Sequence, residues 1–400
     1  MAAIVVGHNF EGMDRVSELD RLIRDAVERK AAPFICAAVG DSTRTLWQGS
    51  AGSAGHGRDA GPETIFRLFS ATKAIGSVAA LIAIDRGLFT MDTPVGDIVS
   101  RFDELQVLTS VAPDGPVFRP PRRRATLRHL LTHTQGQGYD IFYPLMIEYR
   151  ERTGAPDDLT GLVESLMYPL MFDPGEGFAY GIGIDWVGMM IATADGRPIE
   201  EFVQEEILDP LGMTSTAFEA LEVGDQLAEL SVKTGDDNFE ITERAAPSRP
   251  EFYHMGNCLY STTTDYLRFL RCILNRGELD GTRIVSRETV ELAFTDQIVG
   301  VELPTPLLTS HAPAVSYDVD LLPGARLTHT ATAFMNIDSV PGRRGPESLS
   351  WGGVFHTLFW VDPGNDLAGV FFTQMLPFWD PALTATFEEF ERITYQEFLR

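Results

Sequence analysis

Ser70-Ala71-Thr72-Lys73 sets a hydroxyl and an amine three residues apart at the head of the apolar run Ala74 to Ile84. On a helix, residues at i and i+3 share a face, so the amine can reach the hydroxyl. The positive end of the helix dipole and the apolar surroundings both disfavour an ammonium and incline Lys73 to act as a base. A serine hydroxyl is a weak nucleophile until such a base takes its proton. The same helix start can aim the Ser70 N–H at an oxyanion forming on an attacked carbonyl. The chemistry suggested is acyl transfer through an acyl-Ser70 intermediate. The plain alternative makes Ser70 an N-cap and Lys73 a first-turn surface residue.

Lysine scarcity favours the chemical reading. Lys30, Lys73 and Lys233 are the only lysines among 32 basic residues. Arginine cannot lose its proton at accessible pH, whereas a lysine kept inside an apolar helix can. No serine sits in Gly-x-Ser-x-Gly, so the other common serine-hydrolase arrangement, the nucleophile elbow, is not available.

These residues must be positioned by elements that the sequence also marks. Met13, Val16, Leu19, Leu22, Ile23, Ala26 and Val27 recur at helical spacing. Phe34–Val39 and Thr43–Gln48, around Gly40-Asp41-Ser42, predict a hairpin. Ser70 to Ile84 is apolar on nearly all sides and predicts a buried central helix that ends at Gly87. From about 95 to 275 the pattern is mainly helical, punctuated at Pro113 to Pro121, Asp173-Pro174-Gly175 and Asp209-Pro210-Leu211-Gly212. Ser348–Trp360 and Leu367–Met375, split by Pro363-Gly364, predict a second hairpin, and Leu383, Phe387, Phe390, Ile393 and Phe398 a closing helix.

Phe66-Arg67-Leu68-Phe69-Ser70-Ala71-Thr72-Lys73, then Thr126-Leu127-Arg128-His129-Leu130-Leu131-Thr132-His133-Thr134, then Pro210-Leu211-Gly212-Met213 resemble the class C β-lactamase-like serine esterases and transesterases. Within that family the pattern is most similar to the statin side-chain acyltransferases and to related bacterial esterases. The resemblance runs from about residue 13 to the C-terminus. It implies an α/β (α+β) fold, a class C β-lactamase-like antiparallel sheet flanked by helices plus a helical lobe, as one domain over 1–400. The α/β lobe is expected from about 1–94 and 276–400 and the helical lobe from about 95–275, with the site between them.

The resemblance also assigns roles. Tyr180, in Phe178-Ala179-Tyr180-Gly181-Ile182, matches the family's tyrosine. Beside a cationic Lys73 its phenolate would be favoured, and it could take the Ser70 proton or pass one to the leaving group. Tyr180-Gly181-Ile182 lacks the amide of the Tyr-x-Asn usual in β-lactamases, which weakens the case for β-lactam side-chain recognition. Trp351-Gly352-Gly353-Val354-Phe355-His356 fits the esterase form of the edge strand. Its glycines let substrate approach the backbone, and the Val354 N–H falls where the family has a second oxyanion donor beside Ser70. Trp351, Gly352, Gly353, Phe355 and His356 are the candidate substrate contacts.

Other features are read more plainly. Lys233-Thr234-Gly235 runs into Asp236-Asp237-Asn238 and is expected to be a surface turn. His133 is expected to be structural. Tyr139, Phe142, Tyr143, Phe252, Tyr253 and Trp379 lie near the motifs and would suit an apolar pocket, and Cys258 could line it. Arg122-Arg123-Arg124 reads as a solvated run.

Fifty-seven acidic against 32 basic residues give a net charge of −25, which argues against duplex DNA or an anionic membrane as partner. Three cysteines make neither a disulfide framework nor a zinc site, and no metal or cofactor is expected. No run of apolar residues is long enough to span a membrane, and the N-terminus lacks a basic n-region, so a cytoplasmic protein is expected. Oligomeric state is left open. The expected function is hydrolysis of carboxylic esters by a serine hydrolase acting on a small-molecule ester, amide or short peptide. Acyl transfer, peptidase or amidase action, and non-catalytic acyl or β-lactam binding stay open.

Overall fold

The computed structural model describes residues 17–220, 224–235, 238–242, 249–298 and 300–399. Five helices position the site: α1 (Glu18–Glu28), α2 (Thr72–Asp85), α3 (Gly183–Asp195), α4 (Thr263–Leu274) and α5 (Pro381–Phe398). α1 opens on Ser17, whose hydroxyl accepts from the Asp20 N–H while the Asp20 carboxylate accepts from the Ser17 N–H. Met13 and Val16 of the expected helix lie outside the described residues.

One antiparallel sheet holds β1 (Phe34–Gly40), β2 (Thr45–Gly55), β3 (Arg58–Asp59), β4 (Leu327–His329), β5 (Phe334–Asn336), β6 (Ser348–Gly353), β7 (Thr357–Asp362) and β8 (Leu367–Phe372). Its spatial order is β4-β5-β6-β7-β8-β1-β2-β3. β1 therefore lies between its hairpin partner β2 and β8, with Cys36 opposite Phe372. Adjacent strand residues point to opposite faces. Trp360 and Phe371 meet Phe387 and Phe390 of α5 on one face, while Phe359 and Phe372 meet Tyr266 of α4 on the other. Gly369, opposite Trp360, must be small, because a Cβ there would lie 2.1 Å from the indole ring.

Two expectations change. Ser348–Trp360 is not one strand but β6 and β7, joined through Val354-Phe355-His356, where His356 adopts φ 65° and donates its N–H to the Gly353 carbonyl at 2.8 Å. The connecting residues Val354-Phe355-His356 include none of the glycine, proline or asparagine that usually mark a turn. The middle segment also holds two hairpins of its own, Val107–Ala112 with Gly115–Arg119 and Leu230–Thr234 with Asn238–Thr242. In the first, Pro113-Asp114 is the turn between strands rather than the start of a long break. Among the described residues no helix is long and apolar enough to cross a membrane, and no group of three His, Cys, Asp or Glu could hold a metal.

Candidate active site

Ser70 stands on a single 3-10 turn, Phe69–Ala71, between the short strand Phe66–Arg67 and α2. Phe69 adopts φ 47°, a left-handed conformation that costs a bulky residue on the order of 1–3 kcal/mol. Its ring is held by stacking on Phe355 at 4.8 Å. The strained residue makes the chain turn sharply just before Ser70. Ser70 does not cap the helix: α2 starts from Ala71 with no side-chain cap. The Ser70 hydroxyl instead accepts from Lys73 Nζ at 3.1 Å.

Lys73 is buried in the first turn of α2, where Thr72 through Ala83 are all buried. Its ammonium donates to the Tyr139 hydroxyl at 2.8 Å and the Gly256 carbonyl at 2.9 Å as well as to Ser70. Burial lowers its pKa to about 8, against the opposing pull of the Asp185 and Asp158 carboxylates. Asp185 reaches the site because α3 crosses α2 closely at Gly76, where a Cβ would come within 2.9 Å of Ile184. Asp185 accepts from the Gly256 N–H at 2.6 Å, so one residue, Gly256, links it to Lys73 through its N–H and its carbonyl.

Tyr180 precedes α3. Its hydroxyl accepts from the Trp351 indole at 2.7 Å and is hydrogen-bonded to Ser70. Burial raises its pKa above the ordinary phenol value despite those two bonds, so the resting site holds a phenol and not the expected phenolate. Tyr139, expected only as a pocket aromatic, is the phenol whose hydroxyl accepts from Lys73, while Tyr180 presents its ring to Lys73 at 5.1 Å. His133 packs on the Tyr180 ring at 4.7 Å, accepts from the Gly181 N–H at 3.4 Å and is kept neutral by burial, with His329 and Lys73 adding to the effect.

A cavity of about 360 Å³ opens over Ser70 and Tyr180, and Trp351, Gly352 and Val354 form one wall. Gly353 lies behind that wall. A Cβ on it would lie 2.1 Å from the Leu68 carbonyl, so only glycine lets β6 run against the turn that carries Ser70. Thr357 fastens the two, donating to the Leu68 carbonyl at 2.7 Å and accepting from the Gly353 N–H at 3.1 Å.

Phe355 and His356 do not line the cavity. Phe355 is wholly buried against Phe69, and His356 is wholly buried with its Nε2 accepting the Trp379 N–H at 2.9 Å. Its Nδ1 is 3.0 Å from the Met375 carbonyl, and burial brings its pKa down to about 4, so it is a neutral brace for the start of α5. Lys233 also lies away from the cavity. It sits on a strand, not the expected turn, paired with Asp380 at 3.2 Å; Asp236 and Asp237 are outside the described residues.

Of the aromatics singled out in the sequence, Tyr139 and Phe142 reach the cavity, while Tyr143, Phe252, Tyr253 and Trp379 do not line it. Cys258 is buried elsewhere and its neighbour Asn257 takes the wall. Leu308, Val315 and Phe378 complete the apolar side, and no periodic pattern marked them. At one end Arg150 pairs with Asp140 at 2.6 Å and Asp157 at 2.7 Å. Asp158 beside them is pushed up to about 8 by burial and by the charges of Asp157, Asp185 and Asp140.

A hydroxyl, a buried amine, two phenols and a glycine-rich strand edge are the parts of a serine acyl-enzyme site. Residues 19–389 match the family described as Beta-lactamase, and the chain belongs to that family, whose serine acyl-enzyme members include esterases and acyltransferases. It is 29% identical over 346 residues to acyltransferase calJ of Penicillium decumbens, covering 84% of this chain and 82% of that one. It is also 29% identical over 331 residues to lovastatin esterase of Penicillium rubens, covering 77% and 79%. Unliganded simvastatin synthase from Aspergillus terreus shares the fold with a TM-score of 0.83 at 24% identity, covering 96% of this chain and 98% of that one.

Proposed function

We propose that the chain is a serine hydrolase that cleaves carboxylic esters through an acyl-Ser70 intermediate. The observation that supports this best is Lys73, a buried amine 3.1 Å from the Ser70 hydroxyl with a pKa near 8, close enough to neutrality to be a base. In this reading neutral Lys73 takes the Ser70 proton as Oγ bonds to the ester carbonyl carbon. The N–H groups of Ser70 and Val354 hold the oxyanion. As the carbonyl re-forms, the C–O bond to the alcohol breaks. The Tyr180 phenol, hydrogen-bonded to Ser70, protonates the departing oxygen and is reprotonated at the expense of the Lys73 ammonium. Water then attacks the acyl-serine by the same steps in reverse, releasing the carboxylic acid and restoring Ser70.

A second reading replaces water with an alcohol, making the protein an acyltransferase, and the likeness to calJ favours it. Ser70→Ala should abolish turnover, and a fluorophosphonate should label the peptide carrying Ser70 and no other. Labelling that persists in the Ala variant removes the assignment. p-Nitrophenyl esters of rising acyl length, with and without an added alcohol, separate hydrolysis from transfer. Turnover of short peptide amides alone would point to a peptidase, and an acyl adduct that never turns over to a binding protein.

A further inference from the structure

Asn257 lines the cavity at 8% exposure, and its amide nitrogen has no hydrogen-bond partner. Buried polar groups are nearly always paired, and a carboxamide brings two N–H donors and an acceptor oxygen. The main chain around it is held firmly. The Asn257 N–H donates to the His254 carbonyl at 3.0 Å, and Gly256 gives its carbonyl to Lys73 and its N–H to Asp185. The amide is thus one residue away from the carbonyl that anchors the base.

Of the neighbouring polar groups, Tyr139 is engaged by Lys73, Tyr180 by Trp351, and Asp140 and Asp157 by Arg150, while Asp158 and His311 also line the wall. Asn257 is the only carboxamide among the described residues of the cavity wall. The wall it interrupts is otherwise largely apolar, with Phe69, Phe142, Leu308, Val315 and Phe378.

We propose that Asn257 is a specificity-determining residue whose amide hydrogen-bonds an oxygen on the substrate close to the scissile ester. The preferred acyl group is then a hydroxy- or oxo-acyl chain rather than a plain alkanoyl one. This rests on the acyl-Ser70 reading. A plain alkanoyl chain leaves the donor unpaired, and a site built to hydrogen-bond a substrate oxygen discriminates strongly against the analogue lacking it.

The test is kcat/KM for p-nitrophenyl 3-hydroxybutyrate and p-nitrophenyl butyrate in wild type, Asn257→Leu and Asn257→Gly. The wild-type enzyme should prefer the hydroxy ester, and both variants should lose about tenfold or more of that preference. Glycine suits a tight loop and carries the test if the leucine variant fails to fold. A wild-type ratio near one, or a ratio unchanged in the variants, overturns the proposal. Wild type that fluorophosphonate labels at Ser70 and that cleaves butyrate without preference removes only the role of Asn257. Wild type that is neither labelled nor active on either ester removes the acyl-enzyme reading as well.

Discussion

The Trp351 indole donates to the Tyr180 hydroxyl at 2.7 Å, so a residue of the cavity's strand wall fixes the phenol beside Ser70. The bond holds the phenol oxygen beside the Ser70 hydroxyl, to which it is also hydrogen-bonded. Trp351→Phe keeps an aromatic side chain but loses the donor and part of the buried indole. Its kcat should fall about fivefold to tenfold, as for one hydrogen bond of about 1 kcal/mol, beside a lower melting temperature from the space left in the core. A loss in KM alone would show that the indole only lines the pocket.

Tyr180→Phe tests the phenol itself. A structural tyrosine would cost about 1 kcal/mol of stability and leave the rate, whereas the proposed role costs rate. Tyr180 and Lys73 serve the same proton, so the double variant should be little worse than the poorer single one. Losses in kcat/KM that multiply would make the two independent.

Lys73→Arg keeps a charge but removes a group able to deprotonate, and should lower kcat by about 10²-fold or more. Lys233→Arg preserves the pair with Asp380 away from the cavity and should be nearly silent. Equal losses from the two would bring Lys233 into the site.

The base also predicts a pH profile. Neutral Lys73 is the active form, so kcat/KM should rise as pH climbs through about 8 and then level off. Asp185 opposes the fall in that pKa; removing its charge in Asp185→Asn should lower the Lys73 pKa further and move the rising limb to lower pH. A limb that stays put, or moves up, would mean another group controls it.

Stability should respond at a different place. Glu391 of α5 is wholly buried and accepts from Arg344 Nε and Nη2, both at 2.7 Å, and from Arg343 at 2.7 Å. Glu391→Gln leaves the buried Arg344 charge uncompensated and should cost about 3–5 kcal/mol in denaturant unfolding. The folded fraction should keep its kcat. A loss under 1 kcal/mol would show that solvent or neighbouring groups replace the carboxylate.

Local chemistry made much of this site readable in the sequence. Ser70 and Lys73 are neighbours on one helical turn, so their contact follows from spacing alone. Tyr180 and Trp351 needed the family resemblance, because only the fold brings positions so far apart together. Tyr139 was legible only as a pocket aromatic and Asn257 not at all, because an aromatic in a loop and an amide beside a single glycine carry no periodic signal. His356 was misplaced because the strand pattern ran unbroken through Val354-Phe355-His356, a turn in which only His356 takes a positive φ. The phenolate expectation weighed Lys73's charge and could not weigh burial, which acts on Tyr180 in the opposite sense.

The pairing of β1 with β8 also orders events in time. A nascent chain that has passed Asp59 has made one edge of the sheet, but β1 lacks its other neighbour until Leu367 to Phe372 emerge. Closing so long a loop is entropically slow, and contacts of such separation lengthen folding. Until then β1 keeps one open edge of unpaired backbone groups, a template on which another chain can pair. The sheet therefore closes late and all at once, when the last of its strands in chain order has been made.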